Sequence, residues 1–424
     1  MLINFLSVGI DAGADFSFMS IAHPNQTLIG KPIKILHSNM SSLANAVSAI
    51  RKAEDTYSMK SRIFIESTGI YHYPVFCYFR DRGFDIRVVN PIISNSTTNI
   101  NIRKAKNDKI DSRKLAFLGL NPKLKTSVMP DDIVVNLRNL VREYYSLTDM
   151  KSAYTNKLHF ELRTAFPQYI GIFSKLNADT SLELLYKYML PKNFLVADKD
   201  EILSIIRKVS RFGVKYAERK YGEIIQAAEN SLLFGHSVES NFTLMRLYID
   251  FIRSYDRSAD SVMSQIKDII NDNPNELFIK QIHIIDSIRG AGLITAATIM
   301  CEIGDFSVFE KPKQLFAYFG LDPAVNQSGN SKGRDGKMSK RGSPLARRAI
   351  HTIALVSIGK NNNPVLRDYY LNKCKSKPKL VALGAVSHKI CNIIFAVLRD
   401  NKNFSVISPD EHIKSYQSKP LSVI

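Results

Sequence analysis

Two groups of residues in this 424-residue chain have types and spacing that could do chemistry. The first is a set of four carboxylates: Asp11 in "VGIDAG", Glu66 in "IFIEST", and Asp108 and Asp111 in "KNDKIDSRK". Asp11 and Glu66 each end an apolar, strand-like run, where an acid carries a desolvation cost. Asp108 and Asp111 are three apart at a helix start, which puts both on one face. If the two strands are neighbours, their carboxylates project at one sheet edge, and the helix can bring the second pair opposite. Four hard oxygen ligands with little imidazole or thiolate suit Mg²⁺ or Mn²⁺. Two such ions can activate an attacking oxygen and stabilise a leaving oxygen in phosphodiester chemistry. Singly, each acid has a plainer role. Asp11 can shape a turn before Gly13, Glu66 can cap the next helix, and Asp108 and Asp111 can pair with Lys104, Lys106 or Arg113.

The second group is the stretch "NQSGNSKGRDGKMSKRGSPLARR", with seven Lys/Arg against one Asp and four serines at 328, 331, 339 and 343. A serine hydroxyl is a poor nucleophile without a base or metal to assist it. None stands nearby: Asp335 is the sole acid, and His351 lies beyond on a helix. Read alone, the stretch is a phosphate clamp with interchangeable serines. Lys332, Arg334, Lys337, Lys340 and Arg341 can neutralise phosphates, and Arg347 and Arg348 open a helix from which one can face DNA. A solvated basic face is the plainer reading.

The elements that must position these residues follow from patterning. Three strand-like runs, then helix and strand in alternation to about residue 127, indicate a mixed sheet covered by helices. Within it, "SSLANAVSAIRKA" reads as a helix with Ala44, Val47 and Ile50 on one side and serines as caps. Residues 128–280 change to long helices, with Leu137, Leu140, Val141, Tyr144 and Leu147 at coiled-coil steps and a helical insertion at 166–235. The two long helices can pair with each other or with another subunit. Residues 281–405 begin with a helix, Gly290-Ala291-Gly292 and a second helix, like a helix-hairpin-helix. There the glycines would let backbone N–H groups approach a phosphate, although an ordinary helical corner has the same pattern. Residues 406–424 read as a loose tail.

Bulk composition narrows the partners. Fifty-eight Lys+Arg against 39 Asp+Glu leave a net charge of +19, which favours a polyanion. No apolar run approaches the roughly 20 residues of a membrane span. The N-terminus lacks a basic region and meets Asp11 too early for a signal peptide. The four cysteines form no C-x-x-C pair, and the nine histidines are never closer than 14 positions, so reduced thiols and no local zinc site are expected.

The order "GID", "IEST-G", "KNDKID-RKLA", "QSG" and "SKRGSPLARRA" resembles the DEDD transposases of the Piv-invertase-related insertion sequences, whose guided members are bridge-RNA-directed recombinases. The resemblance covers the first ~120 residues and roughly 281–400. It implies an α/β plus α architecture: a RuvC-like, RNase H-like N-terminal domain, a long helical, coiled-coil middle, and a mainly helical C-terminal transposase domain. It implies a metal site at Asp11, Glu66, Asp108 and Asp111, and a serine nucleophile that aligns with Ser328. The family's site is composite, with the carboxylate domain of one subunit meeting the serine domain of another. DNA, a structured guide RNA and a homo-oligomer (dimer or tetramer) are the implied partners, in the cytoplasm of a bacterial or archaeal cell, at the nucleoid. An RNA-independent invertase and a RuvC-like nuclease or junction resolvase using water are the alternatives. A catalytically dead, helix-hairpin-helix DNA-binding protein is a third. The chain departs from the family at Asn107, where Thr is usual, and at Ser112, where Ala is common.

Overall fold

The computed structural model describes residues 4–66, 70–89, 108–124, 126, 130–323, 327–328, 331–332 and 338–417, with backbone alone at 327–328, 331–332 and 415–417. The chain divides into two compact units, Met1–Pro130 and Asp131–Ile424.

The first unit is built on a five-stranded sheet of β1 (Leu6–Ala12), β2 (Phe16–Ala22), β3 (Leu28–Leu36), β4 (Ser61–Glu66) and β5 (Asp85–Val89), in the order β3-β2-β1-β4-β5. The first three run antiparallel; β1, β4 and β5 are parallel neighbours. This mixed sheet accords with an RNase H-like domain. Alternation along each strand sorts the two faces. Val8, Ile10, Met19, Ile63 and Ile65 pack with Leu43, Ala46 and Ile50 of α1 (Met40–Tyr57) and with Phe76 and Phe79 of α2 (His72–Arg80). The opposite face is covered by α3 (Asp108–Leu118).

Two details of α1 differ from the sequence expectation. Its buried stripe is Leu43, Ala46, Ile50 and Ala53, while Ala44 is exposed. Its cap is Asn39, whose side chain accepts from the Ser42 N–H, because Asn39 rather than a serine holds the extended backbone a cap requires.

The second unit is helical. Its spine is α4 (Asp132–Ala165) and, after the insertion, α9 (Glu239–Asp272). They pair antiparallel within one chain, as the Lys151–Asp256 and Asn241–Glu161 contacts require. Tyr154 packs against Tyr248, Phe251 and Tyr255 across the seam. The insertion forms α5 (Asp179–Tyr188), α6 (Pro191–Val196), α7 (Lys199–Ser210) and α8 (Val214–Phe234), which share a core with Leu158, Leu162, Met245 and Ile249 of the long pair.

The other end of that pair packs into a second core with α10 (Leu277–Asp286), α11 (Leu293–Ile303), α12 (Pro312–Tyr318), α13 (Pro344–Ser357), α14 (Pro364–Cys374) and α15 (Lys379–Asp400). By length and composition α15 could cross a membrane, although half of its apolar window is buried inside this core. Linear runs of apolar residues missed it because polar positions such as Ser387 and His388 interrupt them. The expected loose tail contains α16 (Pro409–Gln417), begun by a reciprocal cap in which the Ser408 N–H donates to Glu411 and the Glu411 N–H to Ser408 Oγ.

The four cysteines are free thiols. Burial pushes Cys301 and Cys391 up to about 12, so both are inert at neutral pH.

Candidate functional site

Asp11 and Glu66 lie one residue beyond the Ile10–Ile65 register pair, at the carboxyl ends of adjacent parallel strands. Alternation puts Asp11 on the side of Ser7 and Gly9, and Glu66 on the side of Phe64. That is the face covered by α3, since Phe64 packs with Leu115 and the Ser20 hydroxyl meets the Ser112 hydroxyl at 2.8 Å. Helix α3 opens with Asp108 and Asp111, so the four acids belong to one face of the sheet.

The helix reaches that position by backbone contact. A Cβ on Gly9 would lie 2.2 Å from the Ala116 nitrogen and 2.3 Å from the Ser112 carbonyl oxygen. Only a residue without a side chain lets α3 sit directly on β1, and this seating determines where its first turn ends up. Ser112 also answers for the departure seen in sequence. Its buried hydroxyl is satisfied by Ser20 and by the Lys109 carbonyl, so a hydroxyl costs nothing in place of a methyl.

Among the described residues no three His, Cys, Asp or Glu side chains gather in a metal-holding cluster. Asp111 instead accepts from Lys114 at 2.8 Å, with both side chains partly exposed. A solvent-facing i,i+3 pair of this kind is worth little and yields to a stronger cation. In donor chemistry and in shared face, the four acids fit a hard divalent ion. Sequence reading passed over Lys109, whose ammonium lies 5.6 Å from the Phe18 ring, and Phe18 is the register partner of Asp11. The signal was its place between the two acids of "DKID". Arg113, expected at nucleic acid, has a buried Nε with no partner among the described residues. Lys104 and Lys106 fall outside them.

In the second unit the basic stretch is tied at its foot. The Ser339 N–H donates to the Asp322 carbonyl and its hydroxyl to the Asp322 carboxylate at 2.6 Å. The Lys340 N–H donates to Gly320, and Pro323 bridges Met338. Farther out, β6 (Gln327–Ser328) pairs antiparallel with β7 (Ser331–Lys332), setting Ser328 opposite Ser331. The four serines thus separate. Ser339 is engaged by Asp322, and Ser343 caps α13 by accepting the Ala346 N–H.

The cations separate too. Arg347, expected to face DNA, donates through Nη1 to the carbonyls of Phe319 and Gly342, clamping the foot of the loop. Arg348 makes two bonds to Asp149 and lies over Tyr145. Lys340 and Arg341 are exposed. Arg334 and Lys337 lie outside the described residues, as does the Lys332 side chain. Of the paired glycines, Gly290 has φ +98 and would press a Cβ against Val356 of α13 at 2.8 Å, so packing accounts for it. Gly292 faces open space with φ +65 at the uncapped start of α11.

Comparisons with known proteins follow the same two segments. A DEDD transposase model of IS110 type matches residues 8–167, and the model of the transposase IS116/IS110/IS902 family matches residues 282–371. The pilin gene-inverting proteins of Moraxella lacunata and Moraxella bovis are 30% identical over 157 residues, 37% of this chain. That alignment spans 48% of each, so the chain matches about half the length of these relatives. An uncharacterized IS110 insertion-element protein of Streptomyces coelicolor is 21% identical over 326 residues, covering 76% of this chain and 77% of its own.

Proposed function

The chain belongs to the IS116/IS110/IS902 transposase family, and on that premise we propose that it is a DNA recombinase of a mobile element. The observation that carries this reading is the carboxylate face. Asp11 and Glu66 sit at matched strand ends, on the side covered by the helix that begins with Asp108 and Asp111.

In this proposal the four acids hold Mg²⁺ or Mn²⁺, which would supply charge neutralisation at a scissile phosphate. Ser328 is the nucleophile. Its Oγ forms a bond to phosphorus as a phosphorus–sugar oxygen bond breaks; the hydroxyl proton is lost, and the departing sugar oxygen gains one. Attack by another strand's sugar hydroxyl reverses the step and frees the serine. The phosphodiester is conserved throughout, so strands are rejoined without a nucleotide cofactor. Lys340 and Arg341 are exposed beside the loop and suited to flanking phosphates. Two features favour Ser328 and Ser331 over their neighbours: Ser339 and Ser343 already have structural duties. The family's Ser-Gly match selects Ser328 between the remaining two. A structured guide RNA completes the proposal, relieving the protein of reading long DNA sequences itself.

Recombination of a plasmid carrying the element's ends tests this reading. Ser328→Ala and Glu66→Ala should each abolish recombination, and Ser328→Ala should also abolish the covalent protein–DNA adduct that wild type forms. Ser331→Ala should retain both. Full recombination by Ser328→Ala would remove the nucleophile assignment. Nicking by Ser328→Ala but not by Asp11→Ala would favour a nuclease that uses water. Guide-free recombination, with no specific RNA in the purified protein, would favour the invertase alternative.

A further inference from the structure

The insertion carries a surface that includes none of the residues proposed for strand transfer. Between α7 and α8 the chain turns through Arg211-Phe212-Gly213, and residues 211–215 are all exposed. Arg211 ends α7 in the left-handed conformation, φ 61, at a position where glycine is the ordinary choice. The Phe212 ring packs at a tilt on Tyr216 with centroids 4.6 Å apart, yet the residue is 59% exposed. Beside it lies a cavity of about 680 Å³ lined by Asp200, Leu203, Ser204, Arg207, Arg211 and Phe212, among others.

Charge is concentrated at this turn. Some cations of the bundle have acidic partners: Lys187 with Glu201, Lys220 with Glu223, Arg253 with Glu183. Arg207, Lys208, Arg211 and Lys215 are exposed and enter no ion pair among the described residues. Among the described residues, Asp200 is the only acid lining the cavity.

We propose that the α7–α8 turn binds an unpaired polynucleotide, stacking a base on Phe212 and placing its phosphates among Arg207, Lys208, Arg211 and Lys215. A largely exposed ring beside cations without acidic partners is how single strands are held, since every base has a π-face and every linkage a charge. A duplex would have no base to offer the ring. An anionic membrane would meet the same cations, but Phe212 lies against Tyr216 and lines a cavity together with Arg207 and Arg211. The proposal goes beyond strand transfer and uses none of its residues. Failure here would leave the Ser328 and Glu66 tests untouched, and the reverse also holds.

The test uses the full chain and labelled oligo-uridine and oligo-thymidine of about a dozen nucleotides, within the range of single-strand site sizes. Photocrosslinking of a thiouracil-containing strand to wild type should mark the peptide spanning residues 207–216. Phe212→Ala should weaken single-strand binding roughly tenfold and leave duplex binding unchanged. Arg207→Gln, Lys208→Gln, Arg211→Gln and Lys215→Gln combined should flatten the salt dependence by about 2.8 in log–log slope, about 0.7 per lost phosphate contact. All four side chains are exposed, so the variant is expected to fold, and the wild-type crosslink does not depend on it. Stronger binding of uridine identifies RNA as the ligand, and stronger binding of thymidine identifies single-stranded DNA. An absent crosslink at 207–216 with unchanged affinity in both variants would overturn the proposal. So would Phe212-dependent binding to phosphatidylserine vesicles without binding to either oligonucleotide.

Discussion

Asp11 and Glu66 are placed by a sheet register, and Asp108 and Asp111 by a helix lying backbone-to-backbone on Gly9. The basic loop is held differently, by polar bonds at its foot: Ser339 to Asp322, Lys340 to Gly320, and Arg347 to Phe319 and Gly342. The first region joins acids a hundred positions apart and tolerates no slack, because a strand slip would turn a carboxylate to the other face. The second joins near neighbours and, among the described residues, ties the foot of the loop by side-chain and backbone bonds. Acids that must converge on an ion call for the first kind of support. A loop that must meet a polymer can work with the second.

The comparison can be broken most severely at Gly9. Gly9→Val should cost about 3 kcal/mol or more, since the new side chain meets helix backbone that cannot rotate away. Urea denaturation should show the loss, with recombination falling alongside it. Stability unchanged in this variant would mean that α3 is not seated as described. At the loop foot, Arg347→Ala removes two bonds from a charged donor and should cost about 2 kcal/mol. Amide exchange should quicken at Ser339 and Lys340, while the protection of β1 and β4 stays unchanged. Equal loss of protection in the sheet would contradict the separate supports.

The smallest effect concerns acid. Glu54 of α1 is buried, which raises its carboxyl, but bonds from Ser61 and Arg51 outweigh this and hold it below the ordinary glutamate range. A depressed carboxyl contributes stability above its unfolded value, and that stability is lost as pH falls through the folded value. Glu54→Gln should therefore lose about 1 kcal/mol at neutral pH and show a flatter stability curve below pH ~5. Thermal melts across that window check it. The loop foot, which owes nothing to Glu54, should be unaffected.

Much of this was legible in the residues. The alternation of "VGIDAG" and "IFIEST" marked strands, and the acids at their ends stood out for the cost of their position. The heptad of α4 was equally plain, with Leu137 and Val141 buried as expected. The errors have local causes. On α1 the apolar set Ala44, Val47 and Ile50 competed with Leu43, Ala46 and Ile50, and small residues make such stripes ambiguous by one position. The clamp that Arg347 Nη1 forms on two carbonyls was not foreseen, because such a contact leaves no trace in sequence. The α7–α8 turn was overlooked because its cations alternate with helix-forming residues and only folding exposes them together.

The sequence by itself determined the chemistry available: four carboxylates, a serine-bearing basic loop, a large positive charge and motifs in a family's order. Tertiary structure alone decided that β1 and β4 are neighbours, that α3 covers the side where Asp11 and Glu66 point, and that Ser339 and Ser343 are occupied. The physical reason is range. Side-chain type and periodicity act over a few residues and are written locally, whereas strand adjacency and backbone seating arise from contacts between segments tens of residues apart, whose pairing depends on the packing of the whole sheet.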